Sequence, residues 1–98
     1  MTITSTKNDS TLLLELEGRL DTTTSPQLEA EIKDSLDGIT ELILDFAKLE
    51  YISSAGLRVL LAAQKKMYKQ GDMKIRNVCD DILEVFEITG FCDILTIE

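Results

Sequence analysis

Leu42-Ile-Leu-Asp-Phe-Ala-Lys-Leu-Glu-Tyr-Ile-Ser-Ser-Ala-Gly-Leu-Arg58 is the stretch on which the fold turns. Leu42, Ile43, Leu44 and Phe46 form a near-continuous apolar run of strand length, the pattern of a strand covered on both faces. Beyond it Leu57, Leu60, Leu61, Gln64 and Tyr68 recur on one side of a helix of period 3.6, with Gln64 as a polar interruption. The period changes between Phe46 and Leu57, so Ala47 to Ser54 reads as a short loop. Ser53 is then the N-cap and Ser54 lies in the first turn.

N-terminal to this stretch, Thr2-Ile-Thr4 suits a short edge strand, and Asn8-Asp-Ser10 is turn chemistry. In Thr11 to Glu17, Leu12, Leu14 and Leu16 share one face while Glu15 and Glu17 occupy the other, which predicts a strand with one wet side. Gly18-Arg-Leu-Asp21 ends that strand, and Thr22, Thr23, Thr24 and Ser25 offer N-caps before Pro26. Leu28, Ile32 and Leu36 make the stripe of the first helix, closed by Asp37-Gly38.

On the far side, Gly71 fits the left-handed position past the second helix, and Met73 to Val78 begins as an alternating, half-exposed strand. The aspartates of the loop Asn77 to Asp81 can cap a third helix whose apolar side is Ile82, Leu83, Val85, Phe86 and Ile88. Thr89-Gly90 stops it, and Ile94 to Ile97 reads as a last strand. Strands alternating with helices imply βαβ units and a mostly parallel, mixed α/β sheet of four to five strands in one domain, residues 1–98. The half-wet strands place the helices mainly on one face. Parallel strands align their C-terminal ends, so Gly18 to Thr24, Ala47 to Ser54 and Asn77 to Asp80 are expected to share one edge.

The composition narrows the function. Eighteen acidic against ten basic residues give a charge of −8, which repels nucleic-acid backbones and anionic membranes and suits a basic or neutral protein partner. No apolar run approaches the ~20 residues of a bilayer span, and the N-terminus lacks the basic and apolar regions of a signal peptide, so a cytoplasmic protein is expected. Cys79 and Cys92, with no histidine in the chain, match neither a disulfide framework nor a zinc site, and read as reduced, partly buried thiols. A nucleophilic serine has no imidazole to take its proton, and neither Gly-x-Ser-x-Gly nor Ser-x-x-Lys occurs, so no catalytic residue and no metal are assigned. Asp21 and Asp45 at strand ends read as caps and loop ties before paired catalytic carboxylates. A plain cap explains one serine of the pair. A hydroxyl in the first turn of a helix also lies where free N–H groups and the helix dipole favour an anion, so a phosphate on Ser54 would be tolerated, and Gly56 would leave its approach open.

Gly18-Arg-Leu-Asp21 with its threonine-rich caps, followed by Leu44-Asp-Phe-x-x-Leu-x-Tyr-Ile-Ser-Ser-Ala-Gly-Leu-Arg-Val-Leu60, resembles the STAS domain of bacterial anti-sigma factor antagonists, over nearly the whole chain from Leu12 to Ile97. The resemblance implies a non-catalytic β/α domain that binds an anti-sigma factor, itself a serine kinase, and so frees a sigma factor. It also implies that phosphorylation of a helix-start serine switches binding off, and that a serine phosphatase restores it. The spacing to Gly56 and Leu57 matches that serine to Ser54. The partner surface then comprises Asp21, Thr22, Thr23, Ser53, Ser54, Ala55, Gly56, Leu57 and Asn77. No cofactor belongs to this chain; ATP and Mg²⁺ would serve the partner kinase.

Phosphorylated members of the family often read Asp-Ser-Ser/Thr-Gly-Leu-Gly, whereas this chain has Ser53, Ala55 and Arg58 at the departures, and the C-terminal helix of longer members is not read here. STAS domains also serve sulfate transporters, stress-sensing assemblies and lipid-transport complexes. The alternative is therefore a non-phosphorylated scaffold subunit of a lipid-transport or stress-sensing assembly, binding constitutively through the same loops. In either case Asp21, as an exposed loop residue, is expected to matter for binding and little for stability.

Overall fold

Asp9, with a positive φ of 55°, lets the chain reverse between strand β1 (Thr2–Asn8) and strand β2 (Thr11–Leu20), which pair antiparallel from Thr2↔Glu17 to Asn8↔Thr11. The computed structural model describes every residue from Met1 to Glu98. Helix α1 (Ser25–Ser35), strand β3 (Glu41–Ile52), helix α2 (Ser54–Tyr68), strand β4 (Asp72–Arg76), helix α3 (Asp80–Thr89), a 3₁₀ turn at Phe91–Asp93 and strand β5 (Thr96–Ile97) follow. The sheet order is β1-β2-β3-β4-β5, and every pair after the first is parallel. Successive parallel neighbours joined by right-handed crossovers put all three helices on the same face.

One cluster of 23 buried residues fills the space between that face and the helices. Leu12, Leu14, Leu42, Leu44, Met73 and Ile75 enter it in register, Leu12 beside Leu42 and Leu44 beside Ile75. Phe46 meets Phe86 of α3 with ring centroids 6.5 Å apart, a pairing worth about 0.5–1.5 kcal/mol beyond the area it buries. Leu13, Ile43 and Lys74 point the other way and are only half-buried, so β3 is covered on one face, not both as its apolar run suggests.

Both long strands outrun their sequence signals. β2 continues past Gly18 to Leu20, and β3 does not yield to a loop after Phe46 but pairs with β2 as far as Leu20↔Ile52. Register shifts between Glu15 and Glu17 and between Gly18 and Arg19 allow this, each adding twist at a point where strict alternation fails. Leu49, Ile52 and Leu20 thereby return to the core.

In α2 the buried residues are Gly56, Leu57, Val59, Leu60, Ala63, Gln64 and Met67, while Tyr68 is 67% exposed, its hydroxyl reaching the Ile94 carbonyl at 3.3 Å. Gly71 has no positive φ. A Cβ there would overlap the Thr40 carbonyl, which accepts the Asp72 N–H at 2.9 Å, so glycine is required by backbone approach. In α3, Ile82 and Phe86 are buried but Ile88 is 77% exposed. Its N-cap is Cys79, with Asp80 and Asp81 in the first turn, where they meet the positive helix end without capping it. The final strand shrinks to Thr96–Ile97, since Ile94 and Leu95 complete the turn after Phe91.

Candidate functional site

The site is built on the tips of β2 and β3. The Asp21 carboxylate accepts the N–H groups of Thr23 at 3.0 Å and Thr24 at 3.1 Å. The Thr24 hydroxyl donates to the Arg19 carbonyl at 2.7 Å and accepts the Asp21 N–H at 2.9 Å, and the buried Ser25 hydroxyl donates to the Asp21 carbonyl at 2.6 Å. Asp21 therefore organises the entry to α1, and the threonine caps expected from sequence give way to it. The Thr24 N–H is the main cause that holds the Asp21 carboxyl below its ordinary value; desolvation, the next in size, opposes it, and the Thr24 hydroxyl, the Thr23 N–H and the Arg19 guanidinium lower it further. Thr22 and Thr23 are exposed.

The two junctions are joined by the Ser53 N–H, which donates to the Leu20 carbonyl at 2.9 Å. Ser53 is the N-cap of α2, and its carbonyl accepts the Leu57 N–H at 3.0 Å, but its hydroxyl is buried without a partner and caps nothing. Ser54, the first helical residue, is exposed; Ala55 is half-buried; Gly56 and Leu57 are buried. Gly56 does not serve to clear an approach to Ser54. A Cβ there would stand 2.8 Å from Leu20 Cγ and 2.9 Å from Ile52 Cγ1, so glycine lets the first turn of α2 sit down on the strand tips. The first-turn amides of a helix have no intrahelical acceptor, so the start of α2 at Ser54 is a position that favours negative charge.

Asn77 lies elsewhere. With φ 59° it closes β4, and its amide donates to the Asp45 carboxylate at 3.2 Å, joined there by Arg76 Nε at 3.3 Å and the Ala47 N–H at 2.9 Å. Since β4 ends opposite Asp45 and β3 runs on to Ile52, Asn77 is roughly 20 Å of strand away from Ser54. The structure thus brings Asp21, Thr22, Thr23, Ser53, Ser54 and Ala55 together and leaves Asn77 in a second cluster around Asp45. Burial pushes the Asp45 carboxyl up, but the Ala47 N–H, the Asn77 amide and Arg76 outweigh it and hold the group below its ordinary value.

Two neighbours were not read as part of the site. Arg19 and Tyr51 are opposite one another after the second register shift, and the guanidinium carbon lies 4.1 Å from the ring centroid, beside Asp21. The signal for this pair is the bulge, which period-2 counting hides. Cys79 and Cys92 are both free and exposed, not partly buried.

Chemically, Ser54 is an accessible hydroxyl without an acid–base partner: Asp21, the carboxylate of the adjoining junction, is already engaged by the backbone of its own turn. It can be presented to another protein and can carry an anion there. Comparison with known proteins agrees with the fold. The STAS domain family profile matches residues 2–98. The Bordetella bronchiseptica protein BtrV, a candidate anti-sigma factor antagonist, is 38% identical over 99 residues, covering 99% of this chain and 85% of that protein. The anti-sigma-B factor antagonist of Bacillus subtilis is 26% identical over 92 residues, covering 93% of this chain and 84% of the relative. The phosphorylated form of the Bacillus cell fate determinant SpoIIAA superposes with a TM-score of 0.78 at 20% identity, over 99% of this chain and 91% of that one, a likeness of fold.

Proposed function

As the chain belongs to the STAS domain family, we propose that it is an anti-sigma factor antagonist, a non-enzymatic binding protein controlled by phosphate on Ser54. Unphosphorylated, it holds an anti-sigma factor that is also a serine kinase, and a sigma factor is released. The observation that carries this reading is the placement of Ser54: an exposed hydroxyl on the first residue of α2, one hydrogen bond across from the Asp21 turn. Phosphate there adds about −1.5 to −2 charges at a helix end suited to anions, so the fold survives. The complex does not, because a packed contact at Ser54 would have to desolvate the dianion. A penalty of only ~3 kcal/mol lowers affinity about a hundredfold. The kinase performs the phosphoryl chemistry with its own ATP and Mg²⁺, and a serine phosphatase resets the switch.

Incubation with a cognate anti-sigma kinase, ATP and Mg²⁺ should add one phosphate to the peptide containing Ser54, read by mass spectrometry; label on Ser53 would refute the register. Ser54→Ala and Ser54→Asp should both keep the wild-type circular dichroism spectrum. Binding should persist in the alanine form and fail in the aspartate form. Equal binding by the two would sink the switch in favour of the constitutive scaffold.

A further inference from the structure

The two edges of the sheet are not alike. β5 ends it on one side with Thr96–Ile97, too short to recruit another strand, whereas β1 ends it on the other with the seven residues Thr2–Asn8. A long edge is ordinarily blunted by proline, by a bulge, by several charges or by a covering segment. β1 has none of these: it reads Thr-Ile-Thr-Ser-Thr-Lys-Asn, it pairs with β2 in unbroken register, and every residue but Ile3 is exposed. Lys7, its one charge, stands beside the turn and is in no ion pair. The β1 backbone makes no hydrogen bond outside its ladder with β2.

The turn at Asp9-Ser10 has two residues, which makes Asn8↔Thr11 a hydrogen-bonded pair and, by alternation, Thr6↔Leu13, Thr4↔Glu15 and Thr2↔Glu17 likewise. Ile3, Ser5 and Lys7 therefore turn their N–H and C=O groups away from β2, toward the open edge. A second copy laid antiparallel with Ser5 against its own Ser5 brings Ile3 opposite Lys7, Thr4 opposite Thr6 and Thr2 opposite Asn8. Outward groups then meet outward groups along the whole strand, and no charge faces a like charge. Ile3 lies against the aliphatic stem of Lys7, and the β-branched threonines suit a pleated surface.

We propose that β1 pairs in this register with β1 of a second copy, giving an isologous dimer whose two five-stranded sheets run on as one. The occupant is a second copy because the edge is its own complement, and because Lys7 alone is charged in it, so the −8 of each copy is kept off the paired strands. A contact about 23 Å long and ~10 Å deep stays well below the ~800 Å² a side of a standard interface, so the association is weak and reversible. The two-fold axis reverses the strand direction, which sends the two Ser54 surfaces to opposite ends of the joined sheet and leaves both open. The dimer goes beyond the Ser54 reading and does not rest on phosphorylation.

Sedimentation velocity of the full chain from ~0.01 to ~1 mM should show monomer passing into dimer. Amide NMR over the same dilution should move Ile3, Ser5 and Lys7 and leave Ser54 and the rest of α2 still. Ser5→Lys and Ser5→Glu are exposed changes that each set like charges opposite one another at the two-fold axis, and each should weaken the dimer about fivefold. An equimolar mixture of the two variants should restore association, since lysine then faces glutamate. Raising the salt on the wild-type protein from ~0.05 to ~0.5 M should tighten the dimer by screening the repulsion between two copies of charge −8, an arm that needs no variant to fold. A monomer up to ~1 mM, a mixture no tighter than either variant alone, amide shifts that map to the helices or to Leu13 and Ile43 in place of β1, or weakening by salt would each overturn the proposal. Since no kinase enters these measurements, their failure is distinct from failure of the Ser54 switch.

Discussion

Asp21 joins two roles that are usually separate, because the atoms that hold its turn also fix the surface next to Ser54. Two backbone N–H groups rest on its carboxylate, so it is tied into its turn and is not the free, exposed loop residue expected from sequence. Asp21→Ala should lower the thermal midpoint and weaken partner binding together, while Asp21→Asn, which keeps an acceptor oxygen, should restore most of the midpoint. Thermal unfolding followed by circular dichroism decides it; an unchanged midpoint in the alanine form would remove Asp21 from the structural role. Gly56 is a second residue whose reason lies in packing. Alanine would gain up to ~1 kcal/mol of helix propensity, but its Cβ would meet Leu20 and Ile52 below 3.0 Å, and overpacking of this kind costs about 1–3 kcal/mol. Gly56→Ala should therefore destabilise on balance, by about 1 kcal/mol in urea unfolding.

Among the elements, β3 is the spine. It pairs with β2 along its length and with β4 only as far as Asp45, and this difference in length separates the Asn77 cluster from the Ser54 junction. The turn from α2 into β4 is held against the loop before β3 by the Asp72 N–H on the Thr40 carbonyl at 2.9 Å. At Gly71 the obstacle to a Cβ is that same carbonyl, a backbone group that cannot swing aside as a side chain can. Gly71→Ala should consequently shift the urea midpoint more than Gly56→Ala. The reverse order would show that the α2–β4 turn yields more easily than the first turn of α2.

For the molecule as a whole, stability should follow pH with two limits of known sign. Asp21 and Asp45 have carboxyls held below the ordinary 3.8, so the folded state binds their protons less readily than the unfolded chain. Their contribution is present above that value and is lost as the pH falls through the depressed native values. Lys74, raised above 10.5 foremost by its hydrogen bond with Glu41, contributes below that value and loses its contribution as the pH rises through the native one. Urea midpoints should form a plateau between these limits, and Asp45→Asn should flatten the acid side. An acid limb as steep in that variant as in the wild type would assign the loss to other carboxylates.

The element order, the mostly parallel αβ class, the core face of β2 and the serine at the start of α2 were legible in the sequence, whereas the single core face of β3 was not. Leu12, Leu14 and Leu16 could be read because period-2 burial is local, and Ser53-Ser54 because a cap follows directly from a change of period. The resemblance in Gly18 to Asp21 and Leu44 to Leu60 supplied the family, which the profile match over residues 2–98 then showed. Everything that depends on two segments meeting had to come from the folded molecule. The register shifts carry β2 to Leu20 and β3 to Ile52; Met67 replaces Tyr68 in the core; Gly56 and Gly71 are glycines because of Leu20, Ile52 and Thr40. Asn77 belongs with Asp45 because β4 is shorter than β3. Each of these is a contact between residues far apart in the chain, and no local period or propensity encodes the distance at which two backbones come to rest.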